Sequence, residues 1–405
     1  MKTIQGDDIR ERPLAFVMGS MNLLRPVGLA GASCVAVGPP GAPTAHSRFT
    51  RGVLPWVDFS ERTEVLVEKL IRLGAAQPVR PILFYEEDEH LLIVSRHREA
   101  LRQVFHFVVA ESELVEDLVD KDRFHALAER LGLPVPATRH LRPVRGSAPP
   151  DLDLGYPLIV KPATRRDTVW RGIGELGKAR KVDSPAALRE LWPHMVASGR
   201  NFLAQEIVPG PESRIESYHV YVDAGGTLAG EFTGRKIRTY PLAYGHTTAL
   251  TITDSGDVAA LGRELTRRLD LRGVAKFDFK RGPDGRLHLL EINPRFNLWH
   301  FPGALAGVNL PALVYADLSG QVRPAVTAAR AGVGWCNVWK DFAAARSDGL
   351  SLSDWLAWII RCEAKSGLAW DDPMPFLRKL PYFRKGWPFG VRRFSDSTYW
   401  QKNMP

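Results

Sequence analysis

The chain has 405 residues, 45% of them hydrophobic, and carries 54 Lys and Arg against 45 Asp and Glu, a formal net charge of +9. That length exceeds one ordinary core and predicts two or three packed units; no apolar run approaches the roughly 20 residues of a membrane span. The basic residues are spread along the chain without a recognised nucleic-acid module, so neither a membrane nor a nucleic acid is an expected partner.

In chain order, the apolar run 14–18 ends at Gly19-Ser20 and is followed by a short helix and a second run, 33–37. This is the opening of an open α/β sheet, without a GxGxxG fingerprint. A helix is predicted over 62–74, a strand over 81–85 ending in the acidic loop Glu86-Glu87-Asp88-Glu89, and one helix over about 89–102. Ligands of open α/β sheets sit beyond the carboxyl ends of the strands, which makes Gly19, Ser20 and Asp88 candidates for touching a co-substrate. Three scattered cysteines (Cys34, Cys336, Cys362) lack metal-ligand spacing. They predict a reducing cytoplasm and no disulfide framework, and the opening MKTIQGDDIRERP lacks a signal-peptide core.

Asp120 can cap a helix over 121–131 that Gly132 ends. Lys121 then sits in the first turn, where the helix end already carries partial positive charge, so an anion would suit it. On spacing alone it reads as surface. The apolar strand 156–162 delivers Lys161 at its end, a position where lysines commonly snorkel. A polar loop with three glycines and three arginines follows (163–177), then a strand resuming at Lys178 and a helix over 184–192 capped by Ser184. The strand 202–208 leads into Pro209-Gly210-Pro211-Glu212, a crossover that can offer backbone groups to a base and a carboxylate to a ribose. A hairpin is predicted around 223–226, then the basic cluster Arg235-Lys236-Ile237-Arg238, the strand 247–253 and an amphipathic helix 258–270. After residue 301, a single helix is read over 305–319 and an aromatic-rich helix over 352–363.

The chemistry concentrates in GVAKFDFKRGPDGRLHLLEINPRFNLWHF, residues 273–301. Its first half alternates apolar and polar residues, breaks at Gly282-Pro283-Asp284-Gly285, and resumes over 287–292, which reads as a hairpin. Asp278 lies on one arm and Glu291 on the other, with Asn293 and Arg295 just beyond. Two carboxylates and an amide are hard oxygen ligands suited to Mg²⁺ bound with phosphates, and an arginine can grip an anionic oxygen bidentately. The same residues also suit the solvated face of an ordinary surface hairpin.

The order Lys121, Lys161, Gln205-Glu206-Ile207-Val208, Glu212, Asp278, Glu291, Asn293, Arg295 resembles an ATP-grasp protein of the carboxylate–amine ligase kind. The resemblance covers roughly residues 75–320. It implies an α/β fold: an N-terminal open parallel-sheet domain (1–115), a two-lobed ATP-grasp domain (116–325) and a small C-terminal extension (326–405). The lid lobe would span about 120–205 and the metal-binding lobe about 206–325. By that resemblance Lys121, Lys161 and Lys178 bind ATP phosphates, Gln205 to Val208 meet adenine, and Glu212 holds the ribose. Asp278, Glu291 and Asn293 would hold two Mg²⁺ ions, with Mn²⁺ able to substitute. Arg295, Lys236 and Lys276 would neutralise the transferring phosphoryl group. The chain departs from many relatives in loop 163–177, where bulky residues and arginines replace a compact glycine-rich lid. The implied function is ATP-dependent joining of a small-molecule carboxylate to an amine through an acyl-phosphate, in a possible homodimer. A bicarbonate-using carboxylase or a nucleotide-binding protein without turnover are the alternatives.

Overall fold

A computed structural model describes residues 12–163 and 179–378. Three of the four strands of the first sheet (15–18, 34–38 and 82–85) come from short apolar runs, as strands covered on both faces require, while the fourth (50–55) lies at an edge and is largely exposed. The strands are β1 (Ala15–Met18), β2 (Cys34–Gly38), β3 (Thr50–Pro55) and β4 (Ile82–Tyr85), all parallel in the order β3-β2-β1-β4. Chain direction across the sheet reverses between β1 and β4, and that switch opens a crevice beyond their carboxyl ends. Ser20 sits in the crevice and caps helix Met21–Leu29 by accepting from the Asn22 amide. The single helix read over 89–102 is two, Asp88–Arg96 and Arg98–Arg102. The break lets the buried Arg98 turn inward to donate to Ser95 and to the Ala110 carbonyl.

The second sheet is antiparallel: β5 (Thr138–Leu141), β6 (Leu158–Pro162), β7 (Arg180–Val182) and β8 (Phe202–Glu206), in the order β5-β8-β6-β7. Helix Pro185–Ser198 covers it, running past Pro193 because Met195 is fully buried in that small core. Gly199, at φ 64°, ends it in the left-handed conformation that glycine adopts without strain.

The third sheet has seven strands: β9 (Ile215–Val222), β10 (Leu228–Tyr240), β11 (His246–Thr253), β12 (Gly273–Arg281), β13 (Leu287–Asn293), β14 (Gly334–Cys336) and β15 (Ala364–Lys365). Their order is β13-β12-β9-β10-β11-β14-β15. One face packs on helix Gly256–Arg268 through Tyr218, Phe277, Phe279 and Leu265. The other face is divided. At one end Tyr221, Phe232 and Val274 share a core with Leu24 and Val27 of the first domain, and at the other end stands a row of buried polar side chains. The helix read over 305–319 is again two, His300–Leu305 and Leu310–Ser319. Gly307, at φ 101°, separates them, and Asn309 caps the second. Residues beyond Cys336 return to the first domain, where Asp372 accepts from Ser47 and Arg48. No described helix is long and apolar enough to cross a membrane.

Candidate active site

Strand register assembles the site. The β12–β13 hairpin forms as its sequence predicts, with Asp278 directly opposite Glu291 and Lys276 opposite Asn293. Side chains two apart share a face, so Lys276, Asp278, Lys280, Glu291 and Asn293 project together. On the neighbouring strand Ser217 lies opposite Asp278 and donates its hydroxyl to the Asp278 carboxylate. Asp278 is 2% exposed, and its other oxygen lies 2.6 Å from Lys276 Nζ and 3.9 Å from Lys236 Nζ of β10. Such a buried carboxylate is tolerable only because cations and a donor surround it. Asn293 donates to Glu291 at 3.0 Å. The three residues thus share one face of adjoining strands, and their oxygens suit a hard divalent cation. Among the described residues no third His, Cys, Asp or Glu joins the two carboxylates, which leaves coordination positions for phosphate oxygens and water.

The small sheet supplies cations to the same space. Lys161, at the end of β6, donates to Gln205 Oε1 at 3.1 Å, and Gln205 in turn donates to Thr138. Burial first, and then the Lys121 charge, lower the Lys161 pKa to about 8, with the carboxylate of Glu291 acting against both. A lysine buried beside another lysine is a strained cation that an anionic ligand would relieve. Lys121, in the first turn of helix Lys121–Leu131, reaches the Pro162 carbonyl at 3.0 Å. Lys178 and most of loop 163–177 lie outside the described residues.

The remaining sequence-predicted residues divide. Val208 is buried and Ile207 half-buried just past β8, but the Glu206 side chain turns away to accept from the Gly155 amide at 2.9 Å. Glu212 faces Lys280 at 3.4 Å. Arg295 is engaged by the first domain: its Nε pairs with Asp88, and Nη1 donates to the Glu86 carbonyl at 2.7 Å. Its Nη2 lies 3.4 Å from Asn293 Oδ1. One guanidinium therefore ties the β4 end to the carboxylate pair. The loop after β10 reaches the site as well, since the Tyr244 hydroxyl feels burial first and then the charges of Glu212 and Lys181.

Sequence reasoning passed over Ser217, Lys280 and Glu86. The two-residue alternation that marks Lys276 and Asp278 also places Lys280 on their face, so that signal was present. Ser217 and Glu86 act through pairings 61 and 66 residues away in the chain, which no local pattern encodes.

A family model described as "ATP-grasp in the biosynthetic pathway with Ter operon" matches residues 201–338, which run from β8 to β14. The chain is 24% identical to a D-aspartate ligase of Enterococcus faecium over 289 residues, 68% of each protein. It is 26% identical over 185 residues to a D-alanine–D-alanine ligase of Neisseria meningitidis, and that match takes in 57% of the enzyme and 43% of this chain. Among solved structures, an N5-carboxyaminoimidazole ribonucleotide synthetase bound to ADP superposes with a TM-score of 0.60 at 16% identity, covering 81% of this chain and 82% of that one. An L-amino acid ligase of Bacillus licheniformis gives 0.57 at 15% identity, with 77% and 75% covered. At those identities the superpositions establish the fold.

Proposed function

We propose that this chain, similar to ATP-grasp proteins of the carboxylate–amine ligase type, joins a small-molecule carboxylate to an amine at the face carrying Asp278 and Glu291. A carboxylate is a poor electrophile. Phosphorylation by ATP converts it to an acyl-phosphate with a good leaving group, the amine attacks the carbonyl carbon, and ADP and phosphate are released. The observation that carries this reading is the register pairing of Asp278 with Glu291, with Lys161 electrostatically linked to Glu291.

ATP-grasp enzymes use ATP with a divalent metal. Here Asp278, Glu291 and Asn293 would hold two Mg²⁺ ions, replaceable by Mn²⁺, and the metal supplies charge neutralisation at the β- and γ-phosphates. Lys121 and Lys161 bind phosphate oxygens, and Lys178 is proposed to join them. Gln205 holds Lys161 in place, and the chain from Glu206 through Val208 offers backbone groups to adenine. With its side chain turned to Gly155, Glu206 contributes through its main chain. Glu212, paired with Lys280 at 3.4 Å, takes the ribose hydroxyls. Lys236 and Lys276 stand over Asp278, where they neutralise the phosphoryl group in transit. Arg295 holds the first domain against this centre and presents Nη2 toward it. The three thiols are free and buried, in keeping with a cytoplasmic setting, and a homodimer is the proposed assembly.

The test is ADP release across acid–amine pairs, with products identified by mass. Turnover should require both co-substrates, and Glu291→Ala should remove it. Bicarbonate-dependent ADP formation without an organic acid, or an unchanged rate in Glu291→Ala, contradicts the reading.

A further inference from the structure

The crevice at the β1/β4 switch point is a cavity of about 370 Å³, large enough for a small metabolite. It opens beside the machinery described above, because the residue forming its floor, Glu86, is also the residue whose carbonyl receives Arg295. The polar lining has one sign. Glu86 and Glu87 contribute carboxylates, Ser20 a hydroxyl and His90 a buried imidazole, and no lysine or arginine lines the cavity among the described residues. The imidazole is held neutral, its pKa lowered to about 4 by burial. Phe59, with its ring 4.2 Å from that of His90, forms an aromatic wall. The segment after β15 contributes Ser366 and Gly367, so the extension that buttresses the first domain also closes this cavity.

Glu86 is built into its place. Its carboxylate accepts from both the amide and the hydroxyl of Ser20, and a Cβ on Gly19 would stand 2.9 Å from Glu86 Oε2. The group is 4% exposed without any cation at hydrogen-bond distance from its carboxylate among the described residues. Burial, followed by the charge of Glu87, raises its pKa to about 7. The two Ser20 donors and the more distant charge of Arg295 offset only part of the cost of burying a carboxylate, and a bound ammonium would offset the rest. The aromatic wall adds a face that attracts cations.

Resting on the ligase reading, we propose that this cavity is the amine co-substrate's site: it takes a primary amine as its ammonium ion, with Glu86 as counter-ion and then as acceptor of the proton the nitrogen gives up before it attacks, and with Phe59 as the adjoining wall. The carboxylate co-substrate is excluded by like charge and lies instead on the Lys236–Lys276 side.

The test uses full-length protein with ATP, Mg²⁺ and a panel of carboxylic acids, with hydroxylamine as the trapping nucleophile. Hydroxylamine is uncharged at neutral pH, so it needs no counter-ion, and it reports the acyl-phosphate as a hydroxamate. Absence of hydroxamate with every acid would overturn the ligase reading itself. Where hydroxamate forms, 1,4-diaminobutane and amino acid amides are titrated as competing amines. The expected result is that an effective amine suppresses hydroxamate, and that Glu86→Gln raises its half-effective concentration at least tenfold. Phe59→Leu, which leaves the Ser20 hydrogen bonds untouched, should raise it severalfold and provides the answer if Glu86→Gln does not fold. Unchanged half-effective concentrations in the folded variants overturn the proposal. So does a lowered KM for the acid in Glu86→Gln, which would place the carboxylate in this cavity.

Discussion

Lys161 is the residue whose environment makes the sharpest solution prediction. Its side chain is half-buried with Lys121 as a like-charged neighbour, and its pKa is lowered to about 8, by burial first and then by that neighbour. A polyanion binds the protonated form, so nucleotide binding must carry a proton with it wherever the free lysine is neutral. Below pH 8 the lysine is already charged, and ATP affinity should be flat with pH. As pH rises through 8 the affinity should fall, by up to about tenfold per unit. Calorimetric heats above that pH should depend on the ionisation enthalpy of the buffer. Lys161→Gln should abolish this pH dependence, since no proton remains to be taken up. The carboxylates behave differently: Asp278 sits between Lys276 and Ser217, so Asp278→Asn leaves Lys276 facing a neutral amide. A drop in kcat of about 10²- to 10³-fold is expected for such a loss at the centre where charge develops, read as the rate of ADP release.

At the scale of elements, close approach decides more than propensity. Gly262 lies within helix Gly256–Arg268, where alanine is favoured by about 1 kcal/mol on intrinsic grounds. A Cβ there would stand 2.2 Å from the Tyr218 ring on β9. Tyr218 is fully buried and donates to Glu231, so the ring has nowhere to retreat. Gly262→Ala should therefore destabilise by about 1–3 kcal/mol, seen as a lower urea midpoint; a stabilised variant would show that the helix can shift outward. The same contrast between local and distant signals explains what the sequence made legible. The β12–β13 hairpin was readable because alternation and a Pro-Asp-Gly turn are local features. So was helix Lys121–Leu131, with Asp120 and Gly132 marking its ends. Strands β14 and β15, of three and two residues, carry no pattern of their own: β14 forms on the edge that β11 offers, and β15 on the edge of β14. Of the site, the carboxylate pair was readable, while the turned-away Glu206 side chain was not, since its partner, Gly155, lies 51 residues away in the chain.

Across the whole molecule, the first domain and the large sheet share one hydrophobic core, and the chain beyond Cys336 fastens them a second time. Arg25 and Asp372 meet at 3.7 Å with side chains 3% and 2% exposed, and Asp372 also receives Ser47 and Arg48. Removing one member leaves a buried charge without its partner. Asp372→Ala should cost about 3–5 kcal/mol in denaturant unfolding, whereas replacing the pair together by apolar residues should cost much less. An equal cost for single and double variants would mean that packing, rather than charge, holds the strap. This double fastening holds the first domain against the large sheet.

The account as a whole turns on a divalent cation held between Asp278, Glu291 and Asn293 against the phosphates of ATP. Calorimetric titration of ATP with and without Mg²⁺, in the unaltered protein and in Glu291→Gln, tests this directly and needs no knowledge of the acid or the amine. Mg²⁺ should tighten ATP binding in the unaltered protein and lose most of that effect in Glu291→Gln. An equal Mg²⁺ effect in both proteins, or none in either, would contradict it.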